Sequence, residues 1–212
     1  MKFKLPRQLV SKEVNKIIYR ELRKQEIILL RPSKNHLKEI ADVTKAIEEC
    51  GIPKNLVCKK LPHKLGWGVF LSLDAKPILK GQVIGPYAGE VSLFPQNGTD
   101  DTDYAFAPLS DMHLTKEEQK SFDKKSPYHP RRLYTVKLDA LKKGNFTRFI
   151  NHSEKPNVVV EVMSIRSNPY GLEPSSVEII FVAKKIIRPG EQLLISYEIG
   201  EKSYWGDIKP FS

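Results

Sequence analysis

The segment Arg148-Phe149-Ile150-Asn151-His152-Ser153-Glu154-Lys155-Pro156-Asn157 constrains this chain more than any other stretch. Phe149 and Ile150 pull its start into a core, and Asn151 and His152 follow with no hydrophobic neighbour beyond them. Adjacent Asn and His side chains both donate and accept hydrogen bonds, which suits the edge of a nucleobase. Ser153 and Pro156-Asn157 are turn formers, so the pair belongs on a constrained loop rather than in a helix. Taken by itself, the segment reads equally well as a core strand running into a turn.

The surrounding chain changes texture once. Val10, Val14, Ile17, Ile18 and Leu22 recur at helical spacing and predict an amphipathic helix from Gln8 to about Gln25. Pro32 stops any continuation through Leu30. Leu37, Ile40, Ala41, Thr44 and Ile47 predict the buried face of a second helix, about Asn35 to Glu49, closed by Gly51 and Pro53. This helical segment, residues 1–55, can pack on the remainder of the chain or pair with a second copy of itself. From Leu56 the pattern is short β-runs: Val57–Lys60, Gly68–Ser72, Gln82–Glu90, Asp103–Ala107, Leu133–Leu138, Val158–Ile165, Glu178–Ala183 and Gln192–Tyr197. Thr115-Lys116-Glu117-Glu118 is a capping box that starts a short helix to about Phe122. Many short strands without a βαβ rhythm give a mainly β fold with flanking helices (α+β), not a parallel doubly wound sheet.

The formal net charge of +10 is unevenly placed. Residues 1–60 hold 15 Lys and Arg against 7 Asp and Glu, and the other 152 residues hold 20 against 18. A basic segment attracts nucleic acid, acidic proteins or anionic membranes, although more often it is the solvated face of a helix. No apolar run approaches the ~20 residues of a membrane span. The start, Met1 to Arg7, lacks the apolar stretch of a secretory signal, so Asn97-Gly98-Thr99 and Asn145-Phe146-Thr147 read as chance glycosylation triplets. Cys50 and Cys58 are the only cysteines, which excludes a disulfide framework or a four-cysteine zinc site and suits a reducing compartment. His36, His63, His113, His129 and His152 stand singly, so no metal site is expected.

Gly66-Trp67-Gly68-Val69-Phe70, Tyr87-Ala88-Gly89-Glu90, Asp103-Tyr104-Ala105-Phe106 and Gly190-Glu191-Gln192-Leu193-Leu194-Ile195-Ser196-Tyr197 lie in order around the Asn-His segment. The GxG with Glu90 further on imitates a dinucleotide fingerprint. However, Leu71 stands at the third glycine and a strand is expected after it. Its glycines instead allow close approach of backbone to a ligand, or a β-bulge beside a buried Trp67. Together the motifs resemble those of the SET-domain protein lysine methyltransferases, which read GxG, YxGE, RFxNHSCxPN and a GEEL-type strand ending in tyrosine. The likeness covers roughly residues 57–200.

The resemblance implies a SET domain over residues 56–200, built of small curled sheets with a C-terminal pseudoknot behind the two-helix segment. It implies S-adenosylmethionine as methyl donor and no metal. The turn Leu65, Gly66, Trp67, Gly68 would hold the cofactor through backbone groups, with Tyr104, Asn151 and His152 contacting it. Tyr197 and Tyr87 would be catalytic, bordering a lysine channel. Glu154 replaces the cysteine of the NHSC motif and residues 198–212 hold no cysteine, so the zinc-bearing element of many members is not expected. The tail, residues 201–212, is then expected to close the channel with Tyr204, Trp205 and Phe211. Ile195 stands where many members carry Phe or Tyr, which leaves the number of methyl groups open. Arg148 and Glu90 are expected to be structural partners, since ionisable groups near a core are normally paired.

The compact form is similar to stand-alone bacterial SET proteins, chlamydial ones included. That similarity implies a basic substrate: a histone or bacterial histone-like protein, with nucleic acid only as its indirect context and no membrane. The expected compartment is the source cell's cytoplasm, or a host nucleus reached by a non-Sec route. A homodimer through the N-terminal helices is a further expectation. Asp100, Asp101, Asp103 and Asp111 could give a locally acidic groove for a cationic tail. Two other classes compete: a basic DNA-binding architectural protein, and a catalytically inactive SET-like binding module.

Overall fold

The computed structural model describes residues 17, 20, 21, 24, 32–62, 66–95, 105–122, 127–165 and 176–197. Helix α1 is Lys34–Cys50 and helix α2 is Lys116–Phe122. The strands are β1 Leu56–Lys60, β2 Trp67–Leu71, β3 Val83–Pro86, β4 Glu90–Pro95, β5 Ala105–His113, β6 Leu133–Asp139, β7 Asn151–His152, β8 Val158–Ile165, β9 Ser176–Ala183 and β10 Leu194–Ile195. Among the described residues they form four small sheets, ordered β1-β2, β3-β9-β8, β4-β6-β5 and β10-β7. The first three are antiparallel, whereas β7 and β10 run parallel. The fold is therefore mostly β with few helices.

Helix α1 begins where Ser33 accepts a bond from the His36 N–H (3.1 Å) and ends at Gly51. Gly51 takes the left-handed conformation (φ +80°), and its N–H caps the Ile47 carbonyl at 2.8 Å. Ile40 and Ile47 are buried and Val43 and Thr44 half-buried, the stripe that packs on β3. Leu37 and Ala41, expected on that face, are exposed. The reason is that β3 has only four residues and meets the helix further along, where the Val83 N–H donates to Glu39 Oε2 at 2.9 Å and Gly85 lies against Val43. Nearer the helix start, His36 reaches the Gly81 carbonyl instead, at 3.2 Å.

Of the expected Gln8–Gln25 helix, Ile17, Arg20, Glu21 and Lys24 are described, and all four are helical; the rest lies outside the described residues. Ile17 joins the main core, Glu21 is buried, and Arg20 bonds both Glu21 and Glu118 of α2. Burial alone would raise the Glu21 pKa, but hydrogen bonds from Lys24 (2.9 Å) and Arg20 (2.8 Å) outweigh it and hold it below the ordinary value. A lowered folded pKa gives stability that is complete above the unfolded pKa and lost as pH falls through the folded one. Glu21→Gln is expected to cost about 1 kcal/mol near neutral pH, because its partners are partly solvated. The difference should vanish in acid, below the carboxylate range; urea melts of both proteins at several pH values measure this, and a constant difference would contradict it.

At Thr115 the capping box is reciprocal: Thr115 N–H donates to Glu118 Oε2 (2.9 Å) and Glu118 N–H to Thr115 Oγ1 (3.2 Å). The expected run Gln82–Glu90 is split between two sheets. Strand β3 ends at Pro86, although the Tyr87 N–H still reaches the Ile179 carbonyl at 2.8 Å, and β4 starts at Glu90. Between them Gly89 crosses so close to β6 that a Cβ would lie 2.8 Å from the Asp139 backbone. Along β6, Tyr134, Val136 and Leu138 are buried alternately, the period of a half-buried strand. Val69, Leu71, Phe146, Phe181, Ile187 and Leu193 are fully buried at the centre of the main core. Gln192–Tyr197 shortens to the two residues of β10, since Leu193 N–H turns to the Val69 carbonyl at 2.8 Å.

Candidate active site

A 3-10 helix, Phe146–Phe149, feeds the Asn-His pair from the core. Phe146 and Phe149 anchor it, and Asn145 caps it, accepting from the Thr147 N–H at 3.0 Å. Asn151 and His152 then pair in parallel with Leu194 and Ile195. The loop beyond is closed onto β10 by Ser153 N–H to the Ile195 carbonyl (2.8 Å) and Asn157 N–H to the Leu194 carbonyl (3.1 Å). Asn157, 6% exposed, clamps both sides: its Nδ2 donates to the Gln192 carbonyl and its Oδ1 accepts from the Leu194 N–H, each at 2.8 Å. The pair is thus a strand two residues long leading into a tight, pinned loop.

From β7 the Asn151 Nδ2 reaches the Trp67 carbonyl at 2.9 Å, which joins the Asn-His pair to the Gly-Trp-Gly turn. Gly66 sits at φ +76°, and its Cβ position faces open space. Gly68 is closely surrounded by side chains: a Cβ there would lie 2.7 Å from Gln192 Nε2 and 3.1 Å from the Phe70 ring. Trp67 is 41% exposed, which removes the reading of a bulge beside a buried tryptophan. Leu65 lies outside the described residues, as do Tyr104, Tyr204, Trp205 and Phe211.

Tyr197 closes the other side. Its N–H donates to His152 Nδ1 (3.0 Å), its hydroxyl donates to the Ile150 carbonyl (3.2 Å), and the two rings lie 5.3 Å apart. With Nδ1 accepting, a neutral imidazole carries its proton on Nε2. Ile195, the register partner of His152, is 4% exposed within the main core. Tyr87 is buried, stacks on Phe181 at 5.7 Å and donates its N–H to the Ile179 carbonyl at 2.8 Å.

Two residues that the sequence did not single out tie Tyr87 to this centre. Asn145 Nδ2 donates to the Pro86 carbonyl at 2.7 Å, and the Thr147 hydroxyl reaches it at 3.4 Å. Both side chains are buried, and they fix the residue preceding Tyr87 to the helix that carries the Asn-His pair. The Asn-x-Thr spacing is visible in the sequence, where it reads only as a chance glycosylation triplet. Arg148 is a structural partner as expected, donating to the Ala140 and Leu141 carbonyls (2.7 and 3.1 Å) with its guanidinium over Phe149. Glu90 pairs with Lys143, whose hydrogen bond lowers the carboxyl pKa. Burial pushes the Cys58 thiol pKa up, with Arg148 opposing in part, so this cysteine is a poor nucleophile. Among the described residues no group of His, Cys, Asp or Glu is placed to hold a metal ion. No described helix is long and apolar enough to cross a membrane.

These strands and this site define a class. The SET domain family profile matches residues 66–198, and the chain belongs to that family. It is 32% identical over 132 residues to the histone-lysine N-methyltransferase, H3 lysine-9 specific, SUVH1 of Nicotiana tabacum, covering 62% of this chain and 17% of the relative. It is 28% identical over 141 residues to the histone-lysine N-methyltransferase SETD1B of Xenopus tropicalis, covering 66% of this chain and 6% of the relative. The chain therefore spans a small part of the length of these relatives. The solved structure of ATXR5 in complex with a mono-methylated histone H3.1 shares the fold, with a TM-score of 0.61 at 14% identity over 97% of this chain and 81% of that one.

Proposed function

We propose that this chain is an S-adenosylmethionine-dependent protein lysine N-methyltransferase acting on basic, chromatin-type proteins. The observation that carries the reading is the junction of His152, Tyr197 and Ile150 with the Asn151–Trp67 bond, inside the SET match. The described residues fit the cofactor. Gly66 leaves open space at its Cβ position, the Trp67 ring is half-exposed beside it, and Asn151 fixes the turn's backbone. Leu65, Gly66, Trp67, Gly68, Tyr104, Asn151 and His152 are the residues we assign to holding it. When bound, S-adenosylmethionine supplies an electrophilic methyl group on a sulfonium.

The chain's own task is to present a neutral amine. A free lysine, with a pKa of about 10.4, is almost wholly charged at neutral pH. A narrow apolar channel disfavours that charge, and a nearby sulfonium disfavours it further. Tyr87 and Tyr197 border this channel in our reading. The Tyr197 hydroxyl, held by the Ile150 carbonyl, orients the amine lone pair for in-line attack. The proton leaves through water, so no dedicated general base is needed. The pinned loop at Asn157 and the parallel β7–β10 pair support a pseudoknot in which the C-terminal segment threads past the Asn-His loop.

We further propose that Ile195 limits the channel from the core side and that Tyr204, Trp205 and Phe211 cover it. A homodimer through the N-terminal segment would have to use surface other than Ile17, Ile40 and Ile47, which are buried within one chain. The proposed substrates are histones or bacterial histone-like proteins, and the proposed compartment is a reducing one: the source cell's cytoplasm or a host nucleus. Incubation with S-adenosylmethionine and a panel of both substrate types, read by intact-protein mass spectrometry, tests the reading. Mass should rise in whole methyl increments. If no panel member gains a methyl group while the cofactor still binds, the substrate assignment fails; if the cofactor does not bind, the enzyme reading fails.

A further inference from the structure

Two short groups of lysines far apart in sequence meet on one face. Ile78 and Ile187 exchange backbone hydrogen bonds at 3.0 and 2.9 Å, and Gly81 N–H reaches the Ala183 carbonyl at 2.8 Å. Residues 78–82 therefore run antiparallel beside residues 183–187. Ile78 and Ile187 point into the core, while Leu79 (55% exposed) and Ile186 (48% exposed) face outward. Lys80 stands in the turn that the Gln82 N–H closes on the Leu79 carbonyl at 3.1 Å, Lys184 and Lys185 lie in the bend that follows Ala183, and Lys76 and Arg188 flank the Ile78–Ile187 bridge; all five are exposed.

Like charges gathered on one exposed face repel one another, most strongly at low salt. Among the described residues, Lys76, Lys80, Lys184 and Lys185 make no ion pair, and Arg188 reaches Glu191 only at 3.9 Å. This basic face is therefore open to an external anion. The apolar part is two aliphatic side chains, much less than a stable lipid anchor needs, so charge must carry the contact.

The patch adjoins the proposed active site. Lys184 N–H donates to the Asn157 carbonyl at 2.8 Å, next to the clamp that holds the Asn-His loop, and Lys155 of that loop is exposed. A chain of net charge +10 repels a lysine-rich substrate at long range. A polyanion that touches both removes that barrier. We propose that this face binds the phosphate backbone of duplex nucleic acid, independently of sequence, and so brings a nucleic-acid-bound basic protein to the site. Only the second clause rests on the methyltransferase reading.

The test is fluorescence anisotropy of a labelled random-sequence DNA duplex with the full chain, titrated across salt concentrations. Lys80→Glu/Lys185→Glu and Lys80→Gln/Lys185→Gln would be compared with Lys2→Glu/Lys4→Glu, each checked for an unchanged thermal melt. Charge reversal at Lys80 and Lys185 should weaken binding at least about tenfold and flatten the log–log salt slope by about two. The neutral pair should fall between, and methylation of an isolated histone peptide should be unchanged in both. Equal affinity and slope in the reversed variant would overturn the proposal, as would binding to phosphatidylserine vesicles but not to the duplex. Duplex binding that depends on Lys80 and Lys185 in a protein that methylates nothing would leave this inference standing and remove the methyltransferase reading.

Discussion

Replacing Asn157 by alanine is expected to lower the stability of the chain by about 2–4 kcal/mol, read as a shift in the urea midpoint. The side chain is 6% exposed and makes two bonds of 2.8 Å, to the Gln192 carbonyl and the Leu194 N–H. Alanine removes both partners at once and leaves a donor and an acceptor in half-buried backbone without a side-chain partner. Leaving each unsatisfied costs about 1–3 kcal/mol. The backbone bond from Asn157 N–H to the Leu194 carbonyl survives, which keeps the effect below the full sum. The same substitution should lower methyl transfer, because it frees the strand that sets Tyr197 against His152. An unchanged midpoint would show that the loop is held some other way.

The second large effect is expected at His152. Alanine there removes the acceptor for the Tyr197 N–H (3.0 Å) and the ring that packs 5.3 Å from the tyrosine. Displacement of a reacting group by about 1 Å can cost on the order of 100-fold in rate, and that is the loss predicted for single-turnover transfer. Cofactor affinity should fall as well, since His152 adjoins Asn151, whose bond fixes the Trp67 carbonyl. Calorimetry with S-adenosylmethionine and rapid-quench transfer separate the two losses. Loss of affinity with normal transfer at saturation would confine His152 to binding.

Much of the fold is legible in the chain. Periodicity and the Gly51 stop place α1 within a residue at each end, and the structure adds the Ser33 cap at its start. Turn chemistry places the loop after His152, and ordered motifs give the family. What escapes are features that depend on partners distant in sequence. The break at Tyr87-Ala88-Gly89 is set by the Asp139 backbone, and the length of β10 by Val69. Asn145 and Thr147 look like surface residues because polar side chains usually are; only the Pro86 carbonyl, some sixty positions earlier in the chain, makes them buried. Leu37 departs from expectation because a stripe on a helix says which face is apolar, not how far its partner extends.

The decisive measurement is single-turnover methyl transfer by Tyr197→Phe at saturating S-adenosylmethionine, with cofactor affinity measured on the same preparation. The Tyr197 N–H bond to His152 and the ring contact remain in phenylalanine, and the hydroxyl bond to Ile150 is lost. Affinity should therefore be unchanged, while transfer falls at least about 100-fold. A full transfer rate with unchanged affinity would contradict the role given to Tyr197 and with it the proposed chemistry of the site.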